Sequence, residues 1–564
     1  MKQITYHSSN CHSTPYRTQK GVFAALFYCV LLLSGAFDLR AGSETIYRAY
    51  HSSNTNEGWH APLPDLAKDY GGIMDFSMAY KHGAFIATDH TLWGFGVNEF
   101  GELGKDLSLE GECKDPFVMA RDVVSVAVGV SNESNPIGVT YYVTSDGRLW
   151  GLGMNRHRRI LYDHPDDDSF LDPVVIDQDV VKVVTDGSTV YYLKRDGVLW
   201  GVGSGYEGKL GYADYSQDNQ TRKARIEGEV AEVGVGGYHT VFLLKKDRSL
   251  WALGSAQFYD IGDVGSGFTH VARRIANDVK TIIPGGMQQS GYITMDDTLW
   301  VMGHNEGGMF GPSHMKKVYR KPVPFMENVQ DASFYVGCSY VVKTDGTLWL
   351  TGTQSLEWDY ASDAEEFPDA LRELVRPTQV ASSCIGLTSS CGATYIRHQG
   401  IAVYRFLNQQ TNAHFFSANK PEYVGILESS GLTNGYYSFA HLRDETAEWL
   451  WETIPFFVAG ESDEGSQPVY RMYNKASGAH FYTMSMEERD NLLATRGDTF
   501  QLEGVAFHAF GHQADGTLPV YRFYAPQTQS HFFTISEEEK NWIVANVSAN
   551  DLVLDGIAWY CWPW

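Results

Sequence analysis

Asp146-Gly147-Arg148-Leu149-Trp150-Gly151-Leu152-Gly153 (DGRLWGLG) is one of six stretches that share the pattern Asp-x-x-Leu-Trp-x-x-Gly. Their tryptophans are Trp93, Trp150, Trp200, Trp251, Trp300 and Trp349, so the unit recurs every 49 to 57 residues. The aspartates are Asp89, Asp146, Asp196, Asp247, Asp296 and Asp345, and a further glycine lies eight residues past the motif in four copies, at Gly104, Gly211, Gly262 and Gly311. A near-constant period of this kind marks a repeat architecture. Strand-like runs such as Thr140–Thr144 and Thr240–Leu244 precede the aspartates. Asp-Gly at 146–147, 196–197 and 345–346 predicts a type I′ hairpin turn, where glycine takes positive φ without a Cβ clash. Leu-Trp then opens the return strand with its two side chains on opposite faces. A unit of short strands this small cannot bury both faces alone. Units must stack, and radial stacking into a propeller leaves only short, protected edges.

The motif followed by Asn-x-x-Gly-x-Leu-Gly, as in Asn98–Gly104 (NEFGELG), resembles the repeat of the regulator of chromosome condensation family over residues 72–400. That resemblance implies a seven-bladed β-propeller, and secreted bacterial relatives include a β-lactamase inhibitor protein. Copy two departs from the pattern with Arg158 and Leu161 in place of glycines, and copy six with Tyr360 and an acidic insert at 361–375. A seventh hairpin half, Val380–Gly400, lacks its Leu-Trp. Residues 44–70 are expected to supply the missing strands, giving a propeller over 44–400 with seven blades, or six or eight as alternatives.

A different repeat runs from Ile401 to the end. Val403-Tyr404-Arg405-Phe406 precedes His414-Phe415-Phe416, Val469-Tyr470-Arg471-Met472 precedes His480-Phe481-Tyr482-Thr483, and Val520-Tyr521-Arg522-Phe523 precedes His531-Phe532-Phe533-Thr534. Tyrosine and histidine are ten residues apart in all three. Helical segments follow, two of them with capping-box patterns at Ser485/Glu488 and Ser536/Glu539. These residues predict an α+β module of three pseudo-symmetric repeats over 401–564. The module resembles a secreted-protein repeat domain of unknown function with VYRFY and HFYT motifs.

The 564 residues include 44 basic and 68 acidic side chains, a net charge of −24, with 56 glycines and 14 tryptophans. Aromatic and glycine content favours a mainly β protein of short strands and tight turns. The acidic balance speaks against nucleic acid as a partner of the body of the protein. Residues 1–36 carry Lys2, Arg17 and Lys20 and then the apolar run GVFAALFYCVLLLSGA, the layout of a signal peptide cut near Ala36. The expected location is therefore secreted, cell-surface or periplasmic, with no stable membrane span after cleavage; a retained anchor is the alternative. Of seven cysteines five remain beyond residue 36, and Cys384 and Cys391 could form a local disulfide if they face each other across a hairpin.

No catalytic motif stands out: there is no GxSxG elbow, no HExxH and no phosphate loop. No cofactor or metal is expected. The recurring tryptophans read as blade packing before sugar platforms, and Asp166-Asp167-Asp168 as a solvated loop before a calcium site. The candidate binding residues are the triplicated Arg405, His414, Arg471, His480, Arg522 and His531. Three readings stay open for them: hydrogen bonds that fix each unit's own loop, outward pockets with their aromatic neighbours, or three imidazoles converging on zinc. The expected function is a secreted, non-enzymatic binding protein whose partner is an extracellular protein or polysaccharide. An enzyme inhibitor and a hydrolase without recognisable motif are the alternatives.

Overall fold

The computed structural model describes residues 39–41, 44–49, 73–79, 82–104, 112–130, 138–161, 163–164, 169–212, 222–236, 239–257, 259–262, 267–285, 288–314, 316–335, 337–352, 376–382, 384–390, 393–419, 422–423, 425–426, 448–461 and 463–563. They are mainly β. Residues 73–399 with 39–49 form seven four-stranded antiparallel sheets. The second is typical: Val123–Val130, Gly138–Thr144, Leu149–Met154 and Ser169–Asp177, in chain order across the sheet. In the seventh, Cys384–Ser390 and Ala393–Gln399 are completed by Glu44–Ala49 and then Leu39–Ala41. The first strand of each sheet packs on the first strand of the next, and that of the seventh returns to Ile73–Met78 of the first.

Repeated side chains explain the ring. Val123, Val180, Val230, Val279 and Val329 open successive sheets and are fully buried. Their N–H groups donate to the carbonyls of His90, Gly147, Gly197, Arg248 and Asp297, each at the hairpin tip of the preceding sheet, at 2.8 to 3.0 Å. The residues just before them, Asp122, Asp179, Glu229, Asp278 and Asn328, take left-handed φ between 55° and 59°. Their carbonyls accept from Ser145, Arg195, Lys246, Met295 and Thr344 of the hairpin in their own sheet. Each junction is thus tied on both sides by backbone hydrogen bonds.

The hairpin turns differ from expectation. A type I′ turn needs two residues at positive φ, whereas here only the third loop residue has it: Gly147 (85°), Gly197 (85°) and Gly346 (79°), with His90, Arg248 and Asp297 in the other copies. Gly147 N–H donates to the Thr144 carbonyl at 2.8 Å, closing a three-residue loop. The repeated aspartate caps that loop: Asp146 Oδ1 accepts from Arg148 N–H at 3.2 Å, and Asp89, Asp196, Asp247, Asp296 and Asp345 do the same two residues on.

The tryptophans pack within sheets. Trp93, Trp150 and Trp300 stack on cross-strand Phe85, Tyr142 and Tyr292 at 6.2 to 6.4 Å. Lysines cover others: Lys194 and Lys223 lie over Trp200, Lys245 over Trp251 and Lys343 over Trp349. Cys384 carries a free, buried thiol and opens a strand that runs on to Ser390. The proposed Cys384–Cys391 bridge depends on Cys391, which, with the proposed signal segment and Asp166–Asp168, lies outside the described residues.

Beyond Gly400 come three hairpins, Ile401–Asn408/Ala413–Ser417, Ser466–Asn474/Ala479–Thr483 and Leu518–Ala525/Ser530–Thr534. Each pairs with a long return strand, Trp449–Val458, Phe500–Phe510 or Val553–Pro563. Helices α1 (Met486–Arg496) and α2 (Glu537–Asn546) follow the second and third hairpins. The centre is triplicated: Val403/Val469/Val520, Phe416/Tyr482/Phe533 and Phe456/Phe507/Trp559 share one buried cluster. The capping boxes form only in half. Ser485 Oγ accepts from Glu488 N–H at 3.0 Å and Ser536 Oγ from Glu539 N–H at 3.1 Å. The serine N–H groups instead donate to Thr483 and Thr534, the last residues of the HFYT and HFFT runs. That substitution frees Glu488 for another partner.

Candidate functional site

In a strand, residues two apart share a face, so Arg471 and Tyr473 project together, with His480 directly across from Tyr473. The neighbouring Phe481 projects to the other face, towards Met472 and Phe500 beside α1. The same alternation holds in each unit, and it places every Arg/His pair against the phenylalanine of the preceding unit. His480 meets Phe415 edge-on at 4.8 Å, His531 meets Phe481 at 4.9 Å and His414 meets Phe532 at 5.2 Å. The guanidinium carbons of Arg471, Arg522 and Arg405 lie over the same three rings at 5.1, 5.6 and 5.2 Å. The contacts run one to two, two to three and three back to one, closing a cycle. Cation–π and edge-on ring contacts of this kind contribute about 0.5–2 kcal/mol each when partly desolvated.

Two junctions carry a described carboxylate clasp. Arg471 donates from both terminal nitrogens to Glu422 of the first unit, at 2.8 and 2.6 Å, and from Nε to Glu503 of its own return strand at 2.7 Å. Arg522 repeats this with Glu488 at 3.1 and 3.2 Å and with Asp555 at 3.1 Å. His480 Nε2 stands 3.4 Å from Glu503 and His531 Nε2 3.6 Å from Asp555. The Arg471 hydrogen bonds hold Glu422 below the ordinary carboxylate range, and the His480 contact does so for Glu503. Burial would raise Glu488, but Arg522 and Thr483 outweigh it and lower it. Burial, with Arg522 beside it, pushes His531 down to about 4.

All six sequence-predicted residues therefore meet at unit boundaries. A loop fixed within one unit does not describe them fully, since Arg471 and Arg522 bind across boundaries as well as within their units, and the three imidazoles sit against three different phenylalanines. Among the described residues no group of three His, Cys, Asp or Glu is placed to hold a metal ion. Sequence reading missed the acids Glu422, Glu488, Glu503 and Asp555. A usable signal existed: Glu503-Gly504 and Asp555-Gly556 recur in the return strands. Those glycines take φ of 118° and 128°, with open space where a Cβ would sit. The strand bulges beside them, leaving Leu502 and Val505 at 41% and 50% exposure and Leu554 and Ile557 at 41% and 52%.

Residues 432–562 match the model of a domain of unknown function, DUF5648. Among solved structures, the chain is similar to yeast RCC1 (Prp20) in its complex with Kap60, at 15% identity and a TM-score of 0.47, covering 70% of this chain and 96% of that one. Prp20p from Saccharomyces cerevisiae follows at 17% and 0.46 (64% and 92% covered), and human WBSCR16 at 16% and 0.45 (60% and 89%). Two curated relatives are described as uncharacterized RNA methyltransferases of Leptospira interrogans, serovars copenhageni and Lai. Each is 23% identical over 206 residues, 34% of this chain and 47% of the relative, so the chain spans about half the length of the curated relatives it matches. No helix among the described residues is long and apolar enough to cross a membrane.

Proposed function

We propose that this chain is an exported, non-enzymatic binding protein. In this reading the seven sheets are the blades of a closed propeller offering its loops to a protein or glycan. The three-unit α+β module is the adhesive part, attaching the chain to a cell-surface or extracellular polymer. Export rests on the basic and apolar layout of residues 1–36.

One observation carries the adhesive reading: the same compound surface occurs twice on one module. A partly exposed acid, Glu503 or Asp555, is pinned by arginine. Exposed aliphatic residues flank it, Leu502 and Val505 in one copy and Leu554 and Ile557 in the other. Pinned carboxylates are preorganised hydrogen-bond acceptors, and apolar shelves supply contact area. Two such surfaces at fixed separation suit a ligand with repeating units, because the second contact forms at high effective concentration.

The test is co-sedimentation of the full chain with envelope material and with insoluble polysaccharides. Retention by at least one of these, competed by its soluble fragments, is the expected result. Indifference to every fraction overturns the proposal.

A further inference from the structure

A strongly basic track runs along the outer edge of three consecutive sheets. The outer strands of the third, fourth and fifth sheets are Arg222–Glu227, Phe268–Ala276 and Val318–Met326. They hold Arg222, Lys223, Arg225, Arg273, Arg274, Arg320 and Lys321 against the single acid Glu227. Arg225, Arg273, Arg274, Arg320 and Lys321 are exposed. Among the described residues, Arg225, Arg273, Arg274 and Lys321 form no ion pair, while Lys223 reaches Asp177 at 2.7 Å. The loops between sheets keep these edges adjacent: Gly208 of the third sheet abuts His270 on the outer strand of the fourth. Tyr259 of the fourth lies under the Arg320 guanidinium at 4.2 Å.

Charge on an outer strand also deters edge-to-edge pairing. That need is the same at every edge and indifferent to sign. The outer strands of the first and second sheets are instead net acidic, with Glu112, Lys114 and Asp115 in one and Asp172 and Asp177 in the other. One sign concentrated on three neighbouring edges, on a chain of net charge −24, requires a further cause.

We infer that these three edges form a binding track for a polyanionic polysaccharide, a chain bearing sulfate or carboxylate groups along its length. The two or three cations on each strand match a polymer whose charges recur at intervals. A nucleic acid fits less well, because base stacking needs an open aromatic face and Tyr259, beside the track, is covered by the Arg320 guanidinium.

The experiment uses the full chain on immobilised heparin, on uncharged dextran and with a DNA duplex, across a salt series. Wild type should bind heparin at low salt and ignore dextran. Arg273→Glu/Arg274→Glu should weaken heparin binding at least tenfold and reduce the salt slope by about one per lost contact. Arg195→Glu/Lys246→Glu makes the same change in net charge on exposed hairpin residues of the third and fourth sheets, and should leave binding within about threefold. Absence of heparin binding by wild type overturns the inference. So does equal loss in both variants, which reports net charge alone, or DNA binding as tight as heparin binding.

Discussion

Arg471 holds Glu422 across a boundary between repeats, with both terminal guanidinium nitrogens on both carboxylate oxygens at 2.8 and 2.6 Å. The two lie 49 residues apart in sequence and in different units. The bidentate geometry is the strong form of an ion pair, and Arg471 is only 12% exposed. A double-mutant cycle with Arg471→Ala and Glu422→Ala in thermal unfolding should give a coupling of roughly 1–3 kcal/mol. Simple additivity would mean that the repeats cohere through their apolar centre alone.

Acid should loosen the C-terminal module in two steps. His531 is held neutral, its pKa lowered from 6.5 to about 4 by burial and then by Arg522. The unfolded chain takes up that proton first, so stability falls as pH drops from about 6.5 towards 4. Glu422 and Glu503 are depressed below 4.5, and their contribution is lost lower still, as pH passes through their folded values. Melting curves of wild type and His531→Gln should diverge between pH 7 and 4.5, the variant losing less. Parallel curves would contradict the assignment.

Asp260 has the opposite sign. Burial raises its carboxyl from 3.8 to about 7, although Thr240 Oγ1 donates to it at 2.6 Å. The folded state binds the proton more tightly than the unfolded one, so this site favours folding below pH 3.8 and loses that advantage as pH rises through about 7. Asp260→Asn should raise the melting temperature at pH 8 by a few degrees, raise it less at pH 5 and change it little at pH 3.5. A lower melting temperature at pH 8 would mean that the charge itself is stabilising.

Between the third and fourth sheets Lys209 is fully buried and donates to Asp186 at 2.7 Å, Ser188 at 2.6 Å and His239 Nδ1 at 3.1 Å. Lys209→Met strands a buried carboxylate and should cost about 3–5 kcal/mol. Lys209→Met/Asp186→Asn should recover much of that loss in denaturant unfolding. If the double variant is as unstable as the single one, Asp186 is not the group left uncompensated.

Much of the ring was legible because one side chain does one job per sheet. The aspartate caps a loop and the tryptophan stacks across a strand pair, so each reads at fixed period. The loop type was not, since Asp-Gly serves both a two-residue and a three-residue hairpin and the choice depends on the register at Thr144. The staple through Val123 and its equivalents was visible as recurring Asp-Val, Glu-Val and Asn-Val pairs, but it needs the neighbouring sheet to acquire meaning. In the module, periodicity identified Arg471, His480, Arg522 and His531 but not their partners. Glu422 and Glu488 come from other units, and nothing local in sequence encodes a contact across a boundary.

The bulged return strands are the proposed binding surfaces of the module. Their most direct test is the affinity of the full chain for the surface polymer that retains it, compared with Val505→Asp/Ile557→Asp. Both residues are about half exposed, so folding should be preserved and verifiable by an unchanged melting curve. The double variant should lose at least tenfold in affinity and each single one less. Undiminished binding by a folded double variant would contradict that role.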